Sequence, residues 1–373
     1  MILDYFNTTR LVTGLGCVKR GVALLTALGD RCIIVTGKGS AKKSGALDDL
    51  TAVLKEAGVD FELFDGIEPN PSIAGCEAAA GRAKAFGAKF IVGIGGGSPL
   101  DAAKAIAALA ANDMPPEQIY TLKWPNKALP VVAIGTTAGT GSEVTNVAVI
   151  TNRDGFKASV KSEQLFPAVA FGDPKYSYSA SYDITVSTAL DAVSHAAESW
   201  FNTAGSHISD MYAKACLDLI YPALCELEST GPDTPTPPEI RERLYYASVL
   251  AGYALVKTGT SYPHRLSYFL TEKFAIPHGT ACAAFLPAFL RRAAEREPNK
   301  SAKLCAGAEY TLEDFAGLVE RMSAYRPVEI TPDDVEFLIK RGDGTPAFLG
   351  AMPAYTAEEA RELIDRVFVV KKQ

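Results

Sequence analysis

Histidine is scarce in this chain, with four among 373 residues. Positive charge is not in surplus either, since 37 Lys+Arg stand against 43 Asp+Glu for a net charge of −6. A nucleic-acid surface needs clustered cations to neutralise phosphates, and no basic stripe provides them. The seven cysteines, Cys17, Cys32, Cys76, Cys216, Cys225, Cys282 and Cys305, are odd in number and show no CxxC spacing. That argues against a disulfide frame and against a thiolate zinc site, and leaves them as small buried apolar residues. No uninterrupted apolar run reaches the ~18 residues of a membrane helix. The opening MILDYFNTTRLVTG has no basic segment leading into an apolar one, so neither export nor membrane contact is expected. A cytoplasmic setting follows.

At this length two hydrophobic cores are expected. RCIIVTG (31–37), FELFDG (61–66), KFIVGIG (89–95), PVVAIGTT (130–137) and AVAFGD (168–173) are nearly continuous apolar runs closed by glycine or polar residues. Such runs mark parallel strands buried on both faces. Alanine-rich helical stretches separate the first four, giving a βαβ rhythm. NVAVITNRDGFKASVK departs from it and reads as a hairpin around Arg153, Asp154 and Gly155. From about residue 178 the pattern is helical, broken by the proline-rich STGPDTPTPPEI. The expected architecture is an α/β domain over 1–177, binding a dinucleotide, and an all-helical domain over 178–373.

KFIVGIGGGSPLDAAKAIAAL passes from a strand through Gly95, Gly96 and Gly97 into a helix, with Ser98 suited to the N-cap, Pro99 to the first helical position and Asp101 to the third. A helix start preceded by glycines leaves N–H groups open to an anion such as a pyrophosphate. Alone, it is equally a tight strand-to-helix turn. It is not the Rossmann fingerprint, which needs glycine at 98. A second polar turn, GTTAGTGSEVTN (135–146), carries Thr136, Thr137, Thr140 and Thr145, and the pair of turns favours a nucleotide site.

In STALDAVSHAAESW, Asp191 and His195 are four apart and share one helical face. His264 and His278, each directly after a proline in SYPHRLSYFLTEKFAIPHG, raise the set to three imidazoles and one carboxylate. That is a donor set for a first-row divalent ion, Fe²⁺ or Zn²⁺, with a position left open for a substrate oxygen. His207 has no partner at a recognisable spacing and reads as an exposed helix start.

GGGSPLDAAKAIA, TTAGTGSEVTNVAVIT, DAVSHAAES and PHG, in this order and at these separations, resemble the iron-containing (group III) alcohol dehydrogenases over residues 5 to 370. The resemblance implies a dehydroquinate-synthase-like fold, NAD(P)H with a catalytic metal at Asp191, His195, His264 and His278, and a homo-oligomer, a dimer. It carries the pyrophosphate to Gly96, Gly97 and Ser98, and other cofactor contacts to Asn70, Asp101, Thr136, Thr137, Thr140, Thr145 and Lys157. NAD-preferring relatives have an Asp after the first strand. Here Gly37 stands there with Lys38, Ser40 and Lys42 nearby, which favours NADPH while leaving NADH open. The family's further histidine, four past the third ligand, is replaced by Tyr268, either a proton donor or a packing residue. The surrounding PHRLSYFLTEKFAIPHG is similar to reductases of small aldehydes with acidic tails, such as phosphonoacetaldehyde or sulfoacetaldehyde. Arg265 either pairs with such a tail or forms a salt bridge outside, with Glu272 for example. The implied reaction is hydride transfer between the nicotinamide and a small aldehyde or primary alcohol. The alternatives are a glycerol-type polyol dehydrogenase and a sugar-phosphate cyclase of the dehydroquinate synthase type.

Overall fold

Successive side chains of a strand point to opposite faces, so an uninterrupted apolar run is stable only where both faces are covered. In a computed structural model, which describes residues 4–371, the five runs become parallel strands; four of them are buried, whereas the run FELFDG forms the edge strand of the sheet and stays half-exposed. The strands of the first half are β1 (Arg10–Thr13), β2 (Arg31–Thr36), β3 (Asp60–Phe64), β4 (Phe90–Gly95), β5 (Val131–Gly135), β6 (Val147–Thr151), β7 (Lys157–Lys161) and β8 (Val169–Gly172). Six of them form one sheet in the order β1-β8-β5-β4-β2-β3, with every pairing parallel. Ile33, Val35 and Ile91 pack with the Ile73–Phe86 and Gly97–Ala111 helices on one face. Cys32, Ile34, Val92 and Ile94 pack with the Ala46–Glu56 helix on the other. The antiparallel pair β6 and β7 forms the expected hairpin, with Gly155 at φ +84° in its turn. Strand β1 was not expected; RLVT lies at the sheet edge, half-exposed, and carries no apolar run.

The chain leaves β2 for a helix on one face and leaves β4, its neighbour, for a helix on the other. Adjacent strands whose helices depart oppositely open a crevice beyond their carboxyl ends. Gly37 follows β2 there, and Gly96 to Ser98 follow β4.

Two compact units divide the chain. One comprises Phe6–Ser181 with Pro237–Tyr245, the other Tyr182–Thr236 and Tyr246–Gln373 with Met1–Tyr5. The return of Pro237–Tyr245 to the α/β unit has a local cause. Arg241 donates from Nη1 to the Ser177 carbonyl at 2.8 Å and from Nη2 to that of Ala180 at 2.9 Å. Tyr245 fills the space above Gly172, where a Cβ would stand 2.6 Å from its hydroxyl. The other unit is built from helices, among them Tyr182–Trp200, Tyr262–Phe274 and His278–Ala283, with one addition to the all-helical expectation: the parallel two-residue strands Glu329–Ile330 and Val369–Val370. Its later helices start at Thr311, Thr331 and Thr356, each in a reciprocal cap with Asp314, Asp334 or Glu359, as T-x-x-D/E dictates. Among the described residues no helix is long and apolar enough to cross a membrane.

The two polar turns of the α/β unit rest on a buried ionic network. Lys104 donates to Ser142 Oγ at 2.7 Å, Thr145 Oγ1 at 3.2 Å and the Val147 carbonyl at 2.8 Å, with Asp101 Oδ1 at 3.7 Å. Burial pulls its pKa down to about 8, while Asp101 and Glu143 act against that pull. Lys104→Met should therefore leave Asp101 uncompensated and lower unfolding stability by about 3–5 kcal/mol. Urea unfolding checks this, and an unchanged midpoint would remove the network from the fold's essentials.

Candidate functional site

The Tyr182–Trp200 helix brings Asp191, His195 and Glu198 to one face, as the i, i+4, i+7 spacing requires. His264 lies in the first turn of Tyr262–Phe274, and His278 begins His278–Ala283. Their Nε2 atoms converge on a single oxygen. His264 Nε2 is 3.3 Å from Asp191 Oδ1, His278 Nε2 3.7 Å and His195 Nε2 3.9 Å. Donor atoms around a tetrahedral ion with bonds near 2.1 Å are about 3.4 Å apart. The rings of His195 and His264 are stacked at 4.4 Å, and those of His264 and His278 meet edge-on at 5.3 Å.

The chemistry of this cluster fits a cation. Asp191 Oδ1 and His264 Nε2 are buried and have no hydrogen-bond partner, a state costly enough that folded proteins avoid it. A metal ion satisfies both. Burial pushes the Asp191 pKa up, but His195, His278 and His264 together hold it well below the usual carboxylate range. Asp191, His195 and His264 are closed off, while the His278 side chain keeps 29% of its exposure, so the cluster opens on that side.

Two residues here carry no site assignment from the sequence, Cys282 having been expected only as a small buried apolar residue. Cys282 has its sulfur 3.8 Å from His278 Nε2 and 3.3 Å from Ser267 Oγ. With Asp191, His264 and His278 it forms a group whose ligand atoms lie within 4.8 Å of one another. Its position four after His278 was the available signal. Glu198 is fully buried, with Oε1 2.6 Å from His264 Nδ1; its place seven after Asp191 was legible, its partner on another helix was not.

The expected cofactor residues divide into two sets. Gly96 and Gly97 lie against the second turn: a Cβ at Gly96 would be 3.2 Å from Thr137 Oγ1, and one at Gly97 2.7 Å from Thr140 Cγ2. The second turn thus presses on the first, so that a side chain at 97 would clash and one at 96 would be tight. The helix begins two residues earlier than expected, at Gly97 with Gly96 as N-cap. Ser98 instead accepts from the Asn70 N–H at 3.2 Å. Asn70 is exposed at φ 58°, a left-handed conformation that Asn tolerates, and its carbonyl accepts from Thr151 Oγ1 at 3.2 Å. Asn70, Gly96, Gly97, Ser98, Thr137 and Thr140 all retain exposure, as do Gly37, Ser40 and Lys157.

Asp101, Thr145 and Thr136 are different. Asp101 accepts from Ser142 Oγ at 2.6 Å and from the Val149 N–H at 2.9 Å, and buried Thr145 accepts from Lys104. Both side chains are engaged in the ionic network. Thr136 is buried, and its N–H ties the turns together through the Gly95 carbonyl at 2.8 Å.

Tyr268 stands beside the histidines, its ring 5.8 Å from that of His278. Arg265 does not salt-bridge to Glu272. That carboxylate is taken by Arg341 through two bonds of 2.5 and 2.8 Å, and Arg265 Nε donates instead to the Arg341 carbonyl at 3.1 Å. Arg265 is half-buried, and burial first, then the Arg341 charge, lower its pKa.

Known proteins resemble this chain over most of its length. A family model described as iron-containing alcohol dehydrogenase matches residues 8–174, and a C-terminal model of the Fe-containing alcohol dehydrogenase family matches residues 185–322. A long-chain primary alcohol dehydrogenase of Thermoanaerobacter ethanolicus is 30% identical, over 97% of this chain and 95% of its own. The crystal structure of an iron-containing alcohol dehydrogenase of Thermotoga maritima superposes with TM-score 0.90 at 32% identity, covering 98% of this chain and 99% of that one. A sulfoacetaldehyde reductase of Bifidobacterium kashiwanohense, solved with NAD⁺, gives 0.89 at 29% identity with the same coverage.

Gly279 sets how closely the His278–Ala283 helix approaches Tyr182–Trp200, because a Cβ there would be 1.6 Å from the Ser187 carbonyl oxygen. Gly279→Ala should push His278 away from Asp191 and cut bound divalent metal at least tenfold in elemental analysis of folded protein. Full occupancy would show that the close approach is dispensable.

Proposed function

For a chain that belongs to the iron-containing alcohol dehydrogenase family, and is thus an alcohol dehydrogenase working with NAD and a divalent metal, we propose that Asp191, His195, His264 and His278 hold the ion. Fe²⁺ is the first choice and Zn²⁺ the second, and the reaction interconverts a small aldehyde and its primary alcohol. The observation that carries this reading is the convergence of three imidazole nitrogens on one buried carboxylate oxygen. A bound ion supplies Lewis acidity toward the carbonyl oxygen, and the nicotinamide supplies the hydride.

The chain's own residues do the rest. Asp191 and the three histidines fix where the carbonyl oxygen sits. Ser98, Asn70, Thr137 and Thr140 line the glycine turns and hold the pyrophosphate, aided by the N–H groups that open the Gly97–Ala111 helix. Tyr268 lies alongside His278 and offers its hydroxyl as a proton source for the alcohol oxygen. NADPH is the preferred cofactor in this reading, since Gly37 replaces a ribose-binding carboxylate and Lys38 and Ser40 are exposed beside it. Lys42 is exposed nearby and paired with Asp48 at 2.5 Å, a surface ion pair weak enough to be exchanged for a phosphate.

Arg265 favours an aldehyde with an acidic tail. It is a half-buried guanidinium whose hydrogen bond goes to a carbonyl rather than a carboxylate, so an anionic tail would relieve its charge and could be gripped bidentately. The aldehyde named for the Bifidobacterium relative has such a tail.

Metal-reconstituted protein should be run against acidic and neutral aldehydes of equal length with NADH and NADPH. Net nicotinamide oxidation is expected, whereas a cyclase of this fold would restore its NAD each turnover. Arg265→Ala should raise KM for the acidic aldehyde ~10-fold or more, the worth of a charge-assisted hydrogen bond of about 1.5 kcal/mol. Equal effects on both aldehydes would end the acidic-tail reading, and equal kcat/KM for the two cofactors would end the NADPH preference.

A further inference from the structure

Glu198 makes three short hydrogen bonds in a fully buried position. Its Oε1 lies 2.6 Å from Ser194 Oγ, which donates to it, and 2.6 Å from His264 Nδ1. Its Oε2 accepts from the Ser261 N–H at 2.6 Å. Ser261 is the N-cap of the Tyr262–Phe274 helix, and its own side chain makes no cap bond. One carboxylate therefore does two jobs. It satisfies an N–H at the start of this helix, and it fixes the ring of the histidine three residues on.

A neutral imidazole carries its proton on one nitrogen, and the hydrogen bond made by the other face decides which. An ionised carboxylate accepts only, so beside Glu198 the proton of His264 sits on Nδ1. The lone pair is then on Nε2, the buried atom that has no hydrogen-bond partner and lies 3.3 Å from Asp191 Oδ1. We propose that Glu198 is a positioning residue that locks His264 in the Nδ1–H tautomer and aims its Nε2 at the ion. This rests on the metal reading above. Carboxylates that orient metal-bound histidines in this way influence affinity as well as geometry.

Substitution at Glu198 probes this role. Glutamine has the same shape, but every contact made by Glu198 needs an acceptor. If its NH₂ faces Ser261, it opposes the backbone N–H. If it faces His264, it donates to Nδ1, moves the imidazole proton to Nε2 and abolishes the ligand. The first orientation keeps an acceptor on His264 and the second removes it, so Glu198→Ala, which leaves no acceptor at all, is the deciding variant.

Two measurements test the proposal. In wild-type protein labelled with ¹⁵N-histidine, which has only four histidines to resolve, the metal-free His264, at a pH high enough to make its imidazole neutral, should show the Nδ1–H tautomer. By titration, folded Glu198→Gln and Glu198→Ala should bind Co²⁺ about 10–100-fold more weakly than wild type, with an altered visible absorption band. An Nε2–H tautomer in the wild type overturns the proposal, as does a folded Ala variant with wild-type affinity and spectrum. Should the variants not fold, the wild-type tautomer still decides. A wild type that binds no divalent ion would instead sink the metal reading, leaving the tautomer to judge the hydrogen-bond arrangement alone.

Discussion

The close contact of the His278–Ala283 helix with the Tyr182–Trp200 helix is the constraint on which the histidine cluster depends. Gly279 lets backbone meet backbone at Ser187, and Ser187 Oγ accepts from the Thr280 N–H at 3.2 Å. Only this proximity brings His278 to within 3.7 Å of an aspartate that lies 87 positions earlier in the chain. Removing water from that pocket is what gives the donor atoms their force, because a carboxylate oxygen and an imidazole nitrogen without partners in a dry interior strongly favour a cation.

In the α/β unit the same logic runs through a different device. The turns after β4 and β5 lean on each other through Gly96, Gly97, Thr137 and Thr140, and beneath them Lys104 gathers Ser142, Thr145 and the Val147 carbonyl. Backbone exposed at the helix start is thus held stiff from below by a buried cation and its acids. A site for a phosphate gains from such stiffness, since little ordering is left for binding to impose.

Much of this was legible in the sequence because it is local. The four residues whose donor atoms cluster were visible as an i, i+4 pair and two Pro-His steps, and the five apolar runs became strands within a residue or two. What escaped depends on distant partners. Asp101 and Thr145 stand in the motifs expected to touch cofactor, yet their side chains face a lysine and serine hidden inside the fold. Ser98 has the chemistry of an N-cap, but the permissive backbone of Gly96 takes that place and frees the hydroxyl for Asn70. Glu198 and Cys282 are ordinary helical residues until the helices carrying His264 and His278 are packed beside them. Likewise, nothing in PPEIRERLYY announces that Arg241 will clasp the Ser177 and Ala180 carbonyls.

The uneven exposure of the ligands has a kinetic consequence. Three of them are set in long, buried helices, whereas His278 opens a helix of only six residues and keeps part of its side chain exposed. An ion in this cluster would leave by way of that histidine, with the other three still in place to recapture it. Exchange with chelators or competing metals then follows the breathing of one short segment, and which metal the enzyme carries becomes a matter of its supply and residence time as much as of affinity.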